Sequence, residues 1–345
     1  MNEYRKVMDN AWVKESSISK FKELDLECAI FDCDGTLVNI NDSYNACIKH
    51  TVGFILERIT GGKQWYDLVT DEIILKFRMS GGFNNDTDTT YASVLAALAA
   101  KTDDPELARK FILNIVIHAD ENGVVSIERY LSDVGFSDLV KKAKDMLQYP
   151  APVSVSLLGR AFDEFFYGKK LFVKMHGMEP MFNNSNGFID GDKVVISLES
   201  VKAISKIFNR KMAIVSGRSM LATEYTLKPV LHYFNKDACV FIEDEENEVM
   251  RNNLNLQVKK PFPYALLKSM KALNARSALC VGDSVEDMLM ARKASENGYV
   301  QTLFCGAYGA VPDTGLQFKV FMERKADLIV ESVNILPHLL KSLAH

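Results

Sequence analysis

The chain has 345 residues, 48% hydrophobic and 25% charged, with 41 Lys+Arg against 45 Asp+Glu for a formal net charge of −4. That length favours two domains over one, and the near-balanced charge gives no electrostatic footprint for a nucleic acid partner. The six cysteines (28, 33, 47, 239, 280 and 305) form no C-x-x-C pair and the six histidines no H-E-x-x-H spacing, so neither a disulfide framework nor a zinc site is expected.

Met1 to Lys14 mixes charges of both signs without an apolar core, unlike a signal peptide, and apolar runs such as Val94 to Ala100 are too short to cross a bilayer. The expectation is a cytoplasmic enzyme with no membrane partner. Residues 1–24 show no clear periodicity and give no predicted element. Cys28 to Asp32 then reads as a strand running into Asp32-Cys33-Asp34-Gly35-Thr36. The chain turns at Gly35, so both carboxylates can face one cleft, the first to attack or bind metal and the second to act as acid and base. An ordinary Asp-Gly turn is the competing reading. Cys33 is expected to point away from both aspartates.

The next stretch reads as mostly helical. Asp42 or Ser43 can cap a helix through about Ile59, and Thr70 with Asp71 and Glu72 starts another that ends near Gly81-Gly82. Further helices are expected over Tyr91–Lys101, Pro105–His118, Ser137–Leu147 and Leu157–Phe166, and a loop at Asn183–Gly187. The polar run Lys76–Asp88 has two readings. It is a substrate loop, with Arg78 for an anionic group and Asn84, Asn85 and Asp86 beside it, or it is a glycine C-cap followed by an Asx N-cap.

Strand patterns resume at Met212–Ser216, where Ser216 can donate to a phosphate oxygen and Gly217 admits backbone N–H groups close to it. Others follow at Cys239–Glu243, Ala278–Asp283, Tyr299–Phe304 and Asp327–Val330. Lys260, before Pro261, offers a fixed ammonium that would neutralise charge on a transferred group. Asp283 and Asp287 add hard oxygen ligands to those of Asp32 and Asp34, a set that suits Mg²⁺, although Ser284 and Asp287 also read as a helix capping box. Strands alternating with helices argue for an α/β fold with a doubly wound parallel sheet, its candidate residues at the strands' carboxyl ends. Roughly 150 residues separate the first two of these strands, far more than a crossover needs. A core domain of residues 1–38 and 197–345 interrupted by an inserted domain, 39–196, is therefore expected.

The combination DCDGT, VSGR, KKP and GDSVED resembles the haloacid dehalogenase (HAD) superfamily, and the position of the helical insert resembles its subfamily IA, with a C1-type cap, phosphoglycolate-phosphatase-like. Asn39–Tyr44 with Gly81–Asp86 is similar to a subgroup of these hydrolases from archaea, cyanobacteria and plants, in which Trp stands where this chain has Thr87. The resemblance implies a HAD-like Rossmannoid core and a cap that closes over a small phosphorylated metabolite. It implies Asp32 as nucleophile, Asp34 as general acid and base, and Ser216, Gly217 and Lys260 around the phosphoryl group. It also implies Mg²⁺ on Asp32, the Asp34 carbonyl and Asp283, with Asp287 supporting the metal or orienting Lys260. A dehalogenase is disfavoured by the presence of Asp34. A phosphomutase or phosphotransferase on the same scaffold, and a non-catalytic phosphate-ligand-binding protein, remain alternatives. The oligomeric state is not readable.

Overall fold

The computed structural model describes residues 3–83, 85–252, 254–296 and 298–344. They divide into two compact units, Met1–Ile40 with Lys193–His345, and Asn41–Asp192. The first unit begins with β1 (Tyr4–Met8), β2 (Ala11–Lys14), α1 (Glu15–Glu23), β3 (Cys28–Phe31) and β4 (Val38–Asn39). The second unit follows with α2 (Tyr44–Thr60), α3 (Asp71–Met79), α4 (Asp86–Ala99), α5 (Pro105–Val116), α6 (Val124–Leu131), α7 (Ser137–Leu147) and α8 (Leu157–His176). The chain then returns to the first unit through β5 (Lys193–Val194), α9 (Leu198–Ile207), β6 (Met212–Ser216), α10 (Met220–Leu227), β7 (Val240–Phe241), α11 (Ile242–Arg251) and α12 (Tyr264–Ala272). It ends with β8 (Ser277–Gly282), α13 (Val285–Ser295), β9 (Gln301–Ala307), α14 (Thr314–Glu323), β10 (Leu328–Val330) and α15 (Leu336–Ala344).

Among the described residues the first unit holds an eight-stranded sheet in the order β1-β2-β10-β9-β8-β3-β6-β7. From β10 to β7 every neighbouring pair is parallel. The strands β3, β6 and β8 are buried at every position, which is why their sequences are continuous apolar runs and not alternating ones. Ile30, Val215, Cys280, Phe304 and Ile329 join one core cluster. Parallel register brings Phe31 level with Ile214 on one side and Val281 on the other, so β3, β6 and β8 all end at the same edge of the sheet. A separate two-stranded sheet pairs Val38 with Val194 and Asn39 with Lys193.

In the second unit α2 packs against α4 and α8, with Tyr44 stacked on Phe166 at 4.0 Å between ring centroids. α8 breaks at Gly168 (φ 65°, ψ 171°), where the backbone of Gly187 passes so close that any Cβ would collide. The break folds the helix back on itself, and His176 Nε2 reaches Asp163 Oδ2 at 2.9 Å. Burial pushes the Asp163 carboxyl up, against the opposing pull of His176. Glu164, fully buried, takes the main-chain N–H groups of Met181 (2.9 Å), Phe182 and Asn183 (3.2 Å) together with Arg160 Nε (2.8 Å), and so ties the following loop to the helix. Among the described residues no helix is long and apolar enough to cross a membrane.

Several elements differ from expectation. The featureless N-terminus forms β1 and β2, an antiparallel pair that joins the sheet through β10, so one edge is antiparallel. Its two strands are too short for periodicity to register, although β2 alternates buried and half-buried positions. The strand expected at Cys239–Glu243 stops at Phe241, and Glu243 lies in α11, whose first turn carries Glu243, Asp244 and Glu245 where the helix dipole favours acids. α4 starts at Asp86, five residues before Tyr91, because Asn85 caps it by accepting from Thr87 N at 2.9 Å. α8 runs past Phe166 to His176, and α6 was not expected at all.

Candidate active site

The loop after β3 is drawn tight by one carbonyl. Cys33 O accepts from the N–H groups of Leu37 (2.8 Å) and Val38 (2.9 Å), and Gly35 N donates to Val38 O at 2.8 Å. Gly35 has φ 72°, a conformation that costs a side-chain-bearing residue, and a Cβ there would lie 2.1 Å from Asp283 Oδ2. The missing side chain thus lets the loop after β8 press against the loop after β3. Cys33 itself is fully buried.

Asp32 continues β3, its N–H bonded to Val281 O at 2.8 Å. Lys260 arrives from the loop before α12 and sets its Nζ 2.5 Å from Asp32 Oδ1 and 2.7 Å from Asp287 Oδ1. All three side chains are nearly excluded from water, with relative exposures of 8% for Asp32, 10% for Lys260 and 5% for Asp287. Burial pushes the Asp32 carboxyl up, as do the charges of Asp287 and Asp34, while the Lys260 ammonium pulls the other way. For Lys260, desolvation disfavours the charged form, but Asp287 and Asp32 outweigh it and push its pKa up. An ammonium gripped by two carboxylates at these distances stays protonated.

Asp287 has two tasks. Its Oδ2 takes the N–H (3.3 Å) and hydroxyl (2.6 Å) of Ser284, and Ser284 Oγ accepts from Asp287 N at 3.1 Å, a complete capping box for α13. The cap fixes the carboxylate whose other oxygen holds Lys260. Asp283 is positioned from behind, where Gln317 Nε2 of α14 donates to its main-chain oxygen at 2.6 Å. Carboxylate oxygens of Asp32, Asp283 and Asp287 lie within 4.8 Å of one another, an all-oxygen donor set of the kind that Mg²⁺ prefers.

The Asp34 carboxylate is not in that group. Its Oδ1 lies 2.9 Å from Nη2 of Arg218, a side chain with no exposure at all. Ser216, also fully buried, ends β6, and its Oγ accepts from Arg218 N at 3.4 Å. Gly217 is exposed, and a Cβ there would meet nothing within 4 Å, so packing does not demand a glycine at that position. The structure therefore brings Asp32, Lys260, Asp287 and Asp283 together, with Asp34 and Arg218 paired on the same unit.

Of the candidates in the second unit, Arg78 is paired with Asp86 at 2.9 Å and Asn85 serves as the N-cap of α4, the Asx cap of one reading of that loop, while α3 is capped at Ser80 and not at a glycine. Asn84 lies outside the described residues. Sequence reasoning passed over Arg218 and Gln317. Arg218 stands inside the quoted Val215-Ser216-Gly217-Arg218 run, so its signal was present, whereas Gln317 belongs to no motif.

A family model described as haloacid dehalogenase-like hydrolase matches residues 26–295. No curated protein matches the chain. Among solved structures the chain is similar to target ZR25 of the Northeast Structural Genomics Consortium, with a TM-score of 0.60 at 15% identity over 92% of this chain and 99% of that one. It is also similar to phosphatase Tt82 from Thermococcus thioreducens, with a TM-score of 0.53 at 18% identity over 86% of this chain and 99% of that one. At such identities the likeness is one of fold. The family match is of another kind, because it runs from just before β3 to the end of α13 and takes in the ends of β3, β6 and β8; the chain belongs to the haloacid dehalogenase-like hydrolase family.

Proposed function

We propose that the protein is a Mg²⁺-dependent phosphatase that hydrolyses a small phosphomonoester through an aspartyl-phosphate, in the IA-type, phosphoglycolate-phosphatase-like branch of the family. The observation that carries this reading is the buried Asp32–Lys260–Asp287 triad at the sheet edge, 2.5 and 2.7 Å across its two contacts, with Asp283 beside it. A carboxylate held at a strand's end against a fixed cation is poised as a nucleophile whose product charge is already countered. Phosphatase activity is also the one named for the Thermococcus thioreducens neighbour that shares the fold.

In this reading an oxygen of Asp32 attacks phosphorus, the bond to the leaving oxygen breaks, and Asp34 gives that oxygen its proton. Water then attacks the phosphorus of the aspartyl-phosphate while Asp34 takes a proton back, and the Asp32 carboxylate is released with inorganic phosphate. Ser216 and the N–H groups around Gly217 hold the equatorial oxygens together with Lys260. Asp32, Asp283 and the Asp34 carbonyl would hold Mg²⁺, with Asp287 supporting them, and the ion would supply Lewis-acid charge to the transferring group. Residues 1–38 and 197–345 form the catalytic core, and residues 39–196 act as the C1-type cap that selects the substrate, Arg78, Asn84, Asn85 and Asp86 being the residues to vary first.

The test is inorganic phosphate release from a panel of small phosphomonoesters, with Mg²⁺ and with chelator. Wild-type protein is expected to release phosphate from at least one panel member only when Mg²⁺ is present, and Asp32→Asn to release none while keeping the wild-type far-UV circular dichroism. Release by Asp32→Asn at the wild-type rate would overturn the reading.

A further inference from the structure

We infer that Arg218 is a positioning residue for Asp34, tying one oxygen of its carboxylate so that the other carries the proton in both half-reactions; this rests on the phosphomonoesterase reading above. Arg218 is held through both its main chain and its guanidinium. Its main-chain N–H is bonded to Ser216 Oγ at 3.4 Å, Nη1 meets Thr226 Oγ1 of α10 at 3.3 Å, and Nη2 lies 2.9 Å from Asp34 Oδ1. The Arg218 side chain has no exposure, whereas that of Asp34 keeps 23%. Oδ1 is itself a buried atom, so what is exposed of Asp34 lies on the side away from the arginine.

Two physical consequences follow. A guanidinium removed from water is costly unless it is paired, so Arg218 resists any rotation of Asp34 that withdraws Oδ1. With Nη1 committed to Thr226, the ion pair to Oδ1 runs through Nη2, and a planar guanidinium held in this way cannot follow a turning carboxylate as a flexible lysine ammonium could. A group that must first donate and then accept a proton at one place gains from being held in a single orientation across both steps. A merely structural ion pair would stabilise the loop after β3 without favouring one oxygen.

The experiment uses the full chain with Mg²⁺ and the best substrate of the panel, and compares Arg218→Met, Arg218→Lys, Asp34→Asn and the double variant Asp34→Asn/Arg218→Met. Arg218→Met is expected to lower kcat roughly 100-fold with KM within about threefold of wild type, the cost of a misplaced group that does not bind substrate. Beryllium fluoride, which forms a phosphate-like complex on an aspartate nucleophile, is expected to bind Arg218→Met as it binds wild type, read by fluorine NMR. The double variant is expected to be no slower than Asp34→Asn alone, because both changes remove one function. Arg218→Lys keeps the buried charge without the fork, and is expected to fold and to lose roughly tenfold in kcat; it decides the matter should Arg218→Met fail to fold. Multiplicative losses in the double variant, a raised KM with unchanged kcat, or full kcat in Arg218→Lys would overturn the inference and leave the phosphatase reading intact. Wild-type protein that neither turns over nor binds beryllium fluoride would overturn both.

Discussion

Lys260 concentrates the electrostatics of the site, since it is the cation that two buried carboxylates share. Replacing it with methionine leaves Asp32 and Asp287 facing each other uncompensated, a loss expected to cost about 3–5 kcal/mol. Added Mg²⁺ should then raise the melting temperature of Lys260→Met more than that of wild type, because the metal takes over the missing charge; equal shifts in the two proteins would contradict this. Gly35 is the other single residue on which the site turns. Gly35→Ala combines a positive φ with a collision against Asp283, so it is expected to reduce the proposed Mg²⁺-dependent turnover by about two orders of magnitude through displacement of the Asp283 carboxylate. Mg²⁺ titration of activity would register the change as a weaker apparent affinity, and a wild-type titration curve would contradict it. Asp32, Lys260, Asp283 and Asp287 could be picked out in the sequence because each stands beside a strong local signal, the three aspartates after an apolar strand and Lys260 before Pro261. The tie between Asp34 and Arg218 could not, because it joins the ends of β3 and β6 and only the register of the sheet makes them neighbours.

Elements were legible where propensity, caps and burial agreed. Thr70 starts α3 by accepting from Ile73 N, and Asp104 before Pro105 starts α5 by accepting from the N–H groups of Glu106 and Leu107, both visible as a capping residue followed by a helical stripe. The strand pattern at Cys239–Glu243 extends into the first two residues of α11 because Ile242 continues the apolar run of β7, and only the acidic first turn of the helix argues otherwise. α6 escaped notice because it is short and preceded by Gly123 without a side-chain cap. Within the second unit Glu164 gathers the Met181–Asn183 amides. Glu164→Ala strands those N–H groups and takes from Arg160 its carboxylate partner, a change expected to cost about 3 kcal/mol. Hydrogen exchange should show faster exchange at Met181, Phe182 and Asn183 while β3 and β8 keep their protection; unchanged exchange at those amides would show that the loop is held by something else.

The whole molecule keeps its thiols inside. Cys28, Cys33, Cys47, Cys280 and Cys305 are buried and Cys239 is half-buried, and burial pushes Cys28 up to about 12, Cys239 up to about 11, and Cys47, Cys280 and Cys305 well above the ordinary thiol. Native protein at pH 8 is therefore expected to resist iodoacetamide, with all six cysteines alkylated only after denaturation, counted by intact mass. Rapid labelling of the native protein would contradict the packing described. The α/β architecture could be inferred from the alternation of strands and helices, but the antiparallel addition of β1 and β2 could not, since β2 pairs with β10 at the far end of the chain. That sheet poses a kinetic problem, because its neighbours β3 and β6 are separated by the whole of the second unit, and closing so long a loop slows folding. The two-residue strands β4 and β5 answer it. By pairing Val38 with Val194 they pin the ends of the intervening segment side by side, so that once this clip forms, the rest of the sheet is searched as though a short hairpin joined its halves. The cost of closing the loop through the second unit is then met at this clip, and because that cost grows by only about 0.6 kcal/mol for each doubling of loop length, what lies between the two strands can lengthen at little expense to the sheet.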